Sequence, residues 1–301
     1  MKLLYSDFFL GGMIVLKTKK EFVEDWISKE AIRFRCIHCQ EELFFRNNGL
    51  SCSNHHQFDL ARQGYLFLAK KPSQSQYSND LFKLRRQIIL ESPFYDKLHQ
   101  TIAEIILDYK IHSILDAGCG EGSHLYRLAK LIEDPLMLVG VDLSKEGIQL
   151  ATDYNSNQMS LVADLAHLPF MDQQFDLILS ILSPANYDEF KRVCKHQALI
   201  IKVIPNSGYL RELRETLIGL GHKVKRDYSN EEVYETFLKS YPQATTLEIK
   251  EKVILNLDQR ANLIRMTPLT WNVSQDQINQ CIQALPESIS LDLTLLIAKK
   301  V

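Results

Sequence analysis

The sequence predicts an α/β fold: a parallel sheet wound by crossover helices, preceded by a small cysteine-clustered module. Three observations carry this. From residue 112 onward, apolar runs of strand length alternate with amphipathic helical stretches. A glycine-rich turn, Gly118 to Gly122, stands where the first run meets the first helix. Three of the six cysteines crowd into positions 36, 39 and 52, and the others scatter to 119, 194 and 281. The 301 residues exceed one ordinary domain of ~100–200 residues, so a main domain and a smaller one are expected.

The strand runs are Ser113–Asp116, Leu136–Asp142, Phe175–Ile181 and Ala198–Val203, with another ending near Val162. Helices are expected between them at 122–132, 144–154, 186–194 and 208–219. The last third is less regular, with helices near 230–240, 258–265 and 275–284 and a closing strand at Ser288–Ala298. Upstream, Leu81, Leu84 and Ile88, then Leu98, Ile102, Ile105 and Ile106, recur at helical spacing. Pro93 divides them into two helices. This gives four zones: 1–32 an extension, 33–70 the small cysteine-clustered module, 71–110 a linker with helices, and 111–301 the main domain.

The apolar start, Phe8 to Leu16, has Asp7 before it and Lys17, Lys19 and Lys20 after it, the reverse of a signal peptide. The first dozen residues therefore read as an extension, with Met13 the working start. No apolar run reaches the ~20 residues that span a bilayer, so a cytoplasmic setting is expected. The cysteine placement agrees, being a poor disulfide framework for so long a chain.

Net charge is −2, which does not announce a nucleic-acid binder. Residues 33–86 nonetheless hold nine Lys and Arg against four Asp and Glu, a local excess of +5.

The richest chemistry lies in Leu115-Asp116-Ala117-Gly118-Cys119-Gly120-Glu121-Gly122. Glycines at a strand-to-helix turn let backbone amides approach a ligand. A dinucleotide fingerprint would put glycine at the sixth position from Gly118, where Ser123 stands. Here an acidic residue precedes the first glycine by two places. A carboxylate there suits S-adenosylmethionine, whose sulfonium and ammonium are cationic. Asp142 ends the next strand, 20 residues beyond Gly122, where it can accept both ribose hydroxyls. Asp164, followed by Leu165, can accept from the adenine amino group. Taken singly, such residues merely shape a doubly wound fold; three at successive strand ends make a ligand site. The constellation resembles that of S-adenosylmethionine-dependent methyltransferases, which implies a class I (Rossmann-like) S-adenosylmethionine-dependent methyltransferase domain; the cysteine spacing taken up next adds a small N-terminal zinc-ribbon-like domain.

Cys36-Ile-His-Cys39 and Cys52-Ser-Asn-His-His56 form two knuckles separated by twelve residues, a spacing that closes on one tetrahedral zinc. His38, His55 and His56 compete for the fourth place. With four protein ligands such a site is structural rather than catalytic.

These residues resemble the bacterial 23S ribosomal RNA (guanine-N1)-methyltransferases over about residues 33–298. The likeness joins the zinc knuckles to His56-Gln-Phe-Asp59-Leu-Ala-Arg-Gln-Gly64-Tyr65. It continues through Asn79-Asp80, Arg85-Arg86, Phe94-Tyr95, the Asp116–Gly122 loop and Leu168-Pro-Phe170. Ser183-Pro-Ala-Asn186 and Met266-Thr-Pro-Leu-Thr-Trp271 complete it. The resemblance implies methyl transfer from S-adenosylmethionine to N1 of a guanine in a hairpin of 23S ribosomal RNA, with one structural zinc per chain. It selects Cys36, Cys39, Cys52 and His56 as ligands. Tyr95, Gly122 and Ser123 match positions that contact the methyl donor, and Tyr209 stands where the family often has histidine. Asn79 replaces a usual glycine. Ser183–Asn186 and the linker look more like Gram-positive members.

Guanine N1 carries a proton, so a carboxylate near the site is a candidate base; Asp188 and Glu189 are nearest by topology. First-turn helix carboxylates also occur for the dipole alone, and the catalytic residue stays unassigned. The Asn186 amide can hold a purine edge. Phosphate contacts fall to Arg33, Arg35, Arg46, Arg62, Lys70, Lys71, Lys83, Arg85 and Arg86, and stacking to Phe44, Phe45, Tyr65 and Phe67, although these aromatics equally form a small core. Trp271 either lines the pocket or packs. Two rivals remain: a zinc-ribbon RNA-binding or assembly factor with a non-catalytic core, and a small-molecule methyltransferase. The intact Asp116, Gly118, Gly120, Asp142 and Asp164 speak against the first, and the basic module against the second. The modified guanine and the oligomeric state, homodimer included, are left open.

Overall fold

A computed structural model describes residues 3–5, 16–29, 32–70, 78–154, 158–224 and 229–300. Met13 and Lys71 lie outside the described residues. Strands β1 (Leu3–Tyr5) and β2 (Leu16–Thr18) pair antiparallel and lead into helix α1 (Lys19–Ser28). Thr18 opens that helix with a capping box: its hydroxyl accepts from the Glu21 amide at 3.2 Å, and Glu21 accepts from the Thr18 amide at 2.7 Å. The helix packs Val23 and Ile27 into a core shared with the following module.

That module is a four-stranded antiparallel sheet of β3 (Phe34–Arg35), β4 (Glu42–Arg46), β5 (Gly49–Ser51) and β6 (Gln57–Asp59). Then β7 (Tyr65–Leu68) leaves it and pairs in the large sheet. Helices α2 (Asn79–Glu91) and α3 (Asp96–Asp108) flank Pro93, as their apolar spacing requires. The alternating part follows: β8 (Ser113–Ala117), α4 (Ser123–Leu131), β9 (Met137–Asp142), α5 (Lys145–Ala151), β10 (Gln158–Ala163), β11 (Phe175–Ile181), α6 (Tyr187–Val193) and β12 (Cys194–Pro205). The chain ends with α7 (Arg211–Gly219), α8 (Glu231–Ser240), β13 (Thr245–Ile254), α9 (Leu257–Met266), α10 (Gln275–Ala284) and β14 (Ser288–Lys299).

The large sheet runs β13-β14-β12-β11-β8-β9-β10-β7, parallel except that β14 is antiparallel to both its neighbours. From β8 the chain winds one way through β9 and β10, then returns to β11 on the other side. Its direction therefore reverses at β8, and in such sheets the crevice beyond the strand ends at that point takes the ligand. Ile88, Phe94, Ile102, Leu125, Leu213 and Leu263 fill one face of the sheet. The other face is filled by Phe170, Phe175, Phe190 and Phe237, together with Phe34 of the module. Among the described residues no helix is long and apolar enough to cross a membrane.

Three elements differ from the sequence expectation. Residues 65–68, expected within the zinc module, form the edge strand of the large sheet, because Tyr65, Leu66 and Leu68 bury against it. The long strand β13 has no counterpart in the expected elements. Helix α1 gives order to part of what read as a bare extension.

The module is seated on the large domain through residues 33–35 and 169–171. The Arg35 amide donates to the Pro169 carbonyl at 3.0 Å, and the Met171 amide to the Arg33 carbonyl at 2.9 Å. The Phe34 and Phe170 rings pack at 5.7 Å between centroids, both buried.

Candidate active site and metal centre

The first knuckle turns at Cys36–Cys39, where the Gln40 amide donates to the Cys36 carbonyl at 2.9 Å. The second turns at Cys52, where the His55 amide donates back to the Cys52 carbonyl at 3.1 Å and His55 takes a left-handed φ of 64°. That turn throws His55 outward and His56 inward. The ligand atoms of Cys36, Cys39, Cys52 and His56 all lie within 4.8 Å of one another. His56 Nδ1 is 3.5 Å from Cys36 Sγ and 3.4 Å from Cys52 Sγ, and the Cys39 and Cys52 sulfurs are 3.6 Å apart. A tetrahedron with Zn–S bonds of ~2.3 Å has edges of about 3.8 Å, so the four donors fit one zinc with no position left open. His38 is outside the cluster; its ring stacks on Phe58 at 5.8 Å.

The second site is the crevice at the switch point, a cavity of about 380 Å³. Strand β8 delivers Asp116, and the chain then bends through Gly118, Gly120 and Gly122, all left-handed with φ of 87°, 58° and 75°. A Cβ on Gly118 would lie 2.5 Å from Ser183 Cβ, and one on Gly122 2.3 Å from Gln158 Nε2, so no side chain fits either. Gly118, Gly120, Asp142, Asp164, Leu165 and Tyr95 line the cavity wall. Asp116, Gly122, Ser123 and Tyr209 are not among the residues that line it. Ser123 Oγ meets Tyr154 Oη at 2.7 Å, and Tyr209 Oη meets Tyr95 Oη at 2.7 Å.

Asp116 is buried with both carboxylate oxygens unpartnered. Burial first, then the Asp142 and Glu121 charges, push its carboxyl up to about 7 against the pull of Arg85. An orphaned acid behind a glycine cradle fits a cationic ligand. Asp142 is held by the Gly120 and Ser144 amides, each donating at 2.8 Å. Burial still raises its carboxyl. Asp164 accepts from the Ala166 amide at 2.9 Å.

Several residues stand elsewhere than the sequence places them. Arg85, expected on RNA phosphates, pairs instead with the fully buried Glu121 of the glycine turn and lines the cavity. Arg86 lies over the Tyr154 ring at 4.5 Å and donates to the Leu150 carbonyl at 2.6 Å. Tyr65 is buried against Cys119 and Ile148 rather than offered for stacking. His124, which sequence reasoning passed over, lines the cavity and meets His99 at 2.9 Å. A buried acid inside a glycine turn demands a cation, and that signal could have found Arg85.

Two residues beyond Pro184, which lines the crevice, Asn186 caps α6, its Oδ1 accepting from the Glu189 amide at 3.1 Å. Asp188 is exposed. Glu189 accepts from the Leu168 amide at 2.7 Å and from Arg192 at 2.8 and 2.7 Å. Burial opposes its charge, but the Arg192 hydrogen bonds and charge outweigh it and hold the carboxyl below its usual range. Glu189 is thereby a structural clamp rather than a base.

Comparison with known proteins now bears on this geometry. A family model described as "Methyltransferase domain" matches residues 114–202, and one described as "RlmA, N-terminal" matches 34–78. A Bacillus subtilis (strain 168) protein provisionally named 23S rRNA (guanine-N(1)-)-methyltransferase YxjB is 38% identical, over 89% of this chain and 97% of its own. The chain belongs to the 23S ribosomal RNA (guanine-N1)-methyltransferase family. A further member, the 23S rRNA (guanine(748)-N(1))-methyltransferase of Streptomyces fradiae, is 26% identical over 90% of this chain and 98% of its own. The chain is thus an S-adenosylmethionine-dependent ribosomal RNA methyltransferase with a class I domain and an RlmA-type zinc ribbon. Its cofactors are S-adenosylmethionine and one zinc.

Proposed function

We propose that this protein methylates N1 of one guanine in a hairpin of 23S ribosomal RNA. The observation that carries the reading is the seating of the zinc ribbon, through Phe34 and Phe170, on the same domain whose crevice is lined by Ser183 and Pro184. A basic grip and a methyl-donor crevice are then parts of one body.

The donor supplies an electrophilic methyl on a positively charged sulfur. Asp142 accepts the ribose hydroxyls, and Asp164 with Leu165 holds the adenine edge. Asp116, buried off the cavity surface, would act on the donor's cationic end through its field rather than by contact. Backbone at Gly118, Gly120, Gly122 and Ser123 lets the ligand approach, and the Tyr95–Tyr209 hydroxyl pair closes the far wall. The Asn186 side-chain NH2 is left to donate to a base edge, since its oxygen is taken up in the cap. Positioning of N1 in line with the methyl supplies much of the rate. As the N1–C bond forms, the methyl's bond to sulfur would break with its electron pair returning to sulfur, and the N1 proton would pass to solvent.

Arg46 lies over the exposed ring of Phe44 at 6.0 Å, a platform for an unstacked base, and Arg33, Arg62 and Lys70 are exposed for phosphate. N1 methylation blocks pairing, so primer extension on 23S RNA should stop one nucleotide before the target in cells with the gene and read through in cells lacking it. Identical stops in both strains would reject the assignment.

A further inference from the structure

The loop that walls the crevice at Ser183 and Pro184 is held from beneath by a buried ammonium. Lys202 lies on β12 in register with Ser180 of β11, and both side chains are buried. Its Nζ donates to Ser180 Oγ at 3.1 Å and to the Ser183 carbonyl. The single Ser180 hydroxyl proton has two acceptors, Ser183 Oγ at 3.0 Å and the Pro184 carbonyl at 3.3 Å. Ser183 Oγ in turn donates to the Ala117 carbonyl at 2.7 Å, on the strand that opens the glycine turn. Lysine, two serines and three carbonyls thus tie the loop after β11 to the end of β8.

Among the described residues no carboxylate pairs with Lys202, and burial alone brings its ammonium down to about 8. A buried charge without a counter-ion is costly in folding, and an apolar residue of similar length would fill the place more cheaply. Such a group fits a demand of the loop rather than of the core.

We propose that Lys202 is a positioning residue for methyl transfer, fixing Ser183 and Pro184, and with them the wall for the target base, at a set distance from the glycine turn. The two loops already touch, since a Cβ on Gly118 would meet Ser183 Cβ at 2.5 Å. Any displacement of Ser183 therefore changes the gap between donor and acceptor. The inference rests on the reading above that the guanine enters beside Ser183–Asn186.

The test compares Lys202→Met, Ser180→Ala and the double variant with wild type, as zinc-loaded full chains, on a 23S hairpin transcript. Each single variant should lower kcat by ~10- to 100-fold. KM for the transcript and calorimetric Kd for S-adenosylmethionine should stay within about twofold, the mark of an interaction felt only at the transition state. The double variant should be no worse than the worse single one, because both act through one network. Wild-type kcat in Lys202→Met overturns the proposal. So does a Kd for S-adenosylmethionine that rises in step with the loss of kcat, which would place the effect in the donor site. Should Lys202→Met fail to fold, Ser180→Ala decides: wild-type kcat there overturns the proposal. An inactive wild-type protein on the same transcript overturns the substrate reading, and this inference with it.

Discussion

Asp116 is buried beside two other acids and has no hydrogen-bond donor of its own. With the folded carboxyl raised from 3.8 to about 7, this group favours the ligand-free fold most below about 3.8, where both states are protonated; as pH rises the unfolded chain ionises first, and the advantage is gone once pH passes about 7. A cationic ligand reverses the balance, because it pairs with the ionised form. S-adenosylmethionine should therefore bind more tightly as pH rises from about 6 to about 8, with the midpoint near the raised value. Calorimetric titration across that range should give this slope in wild type and a flat profile in Asp116→Asn. A flat profile in both proteins would remove Asp116 from the donor site.

At the scale of elements, the zinc ribbon and the glycine turn make separate predictions. The sheet β3–β6 is small, and structural zinc in such modules is worth ~10–16 kcal/mol of folding. Chelation, or Cys52→Ser, should release one metal per chain, unravel the ribbon and abolish methylation of RNA, while leaving S-adenosylmethionine binding by the separate large sheet. Metal analysis beside calorimetry checks this; loss of donor binding together with zinc would contradict it. The Arg85–Glu121 pair is internal to the crevice, so Arg85→Ala strands a buried carboxylate. Urea unfolding should show a loss of ~3–5 kcal/mol, far beyond the effect of trimming an exposed RNA-contacting arginine. A change of under about 1 kcal/mol would return Arg85 to the surface.

Why Arg85 escaped the sequence reading is instructive. It sits in a run of basic residues, and nothing local distinguishes an arginine that turns inward from its solvated neighbours. Strand β13 was hidden for a related reason. Of its residues only Ile249 and Val253 are buried, and Glu248, Lys250, Glu251 and Lys252 dress an open edge, so the alternation that marks a strand is swamped by charge. The helices and strands from 113 to 205 were legible because a sheet buried on both faces requires unbroken apolar runs and its crossovers require amphipathic ones. The places of Asp142 and Asp164 on the crevice followed from topology, which sets strand ends beside it, whereas Asp116 is buried off the cavity surface. The metal ligands were legible from spacing except for the fourth, which needed the resemblance; the left-handed turn at His55 explains physically why His56 is the one that faces the sulfurs. Helix α1 announced itself only through Thr18-x-x-Glu21, a capping signature easily lost in an apolar preamble.

On the scale of the whole molecule, the zinc ribbon and the crevice are mechanically joined. Arg192 donates to the Leu168 and Phe170 carbonyls and to Glu189, so one guanidinium braces both the strip that seats the ribbon and the helix whose cap is Asn186. The zinc module is thus registered against the loop at Ser183–Asn186. The most direct test of this account is nucleoside mass spectrometry of a 23S hairpin transcript after incubation with the zinc-loaded protein and S-adenosylmethionine. The account predicts 1-methylguanosine, one per hairpin, at a single guanine. An unmodified transcript in the presence of donor-bound protein, or a methyl on any other atom, would contradict it.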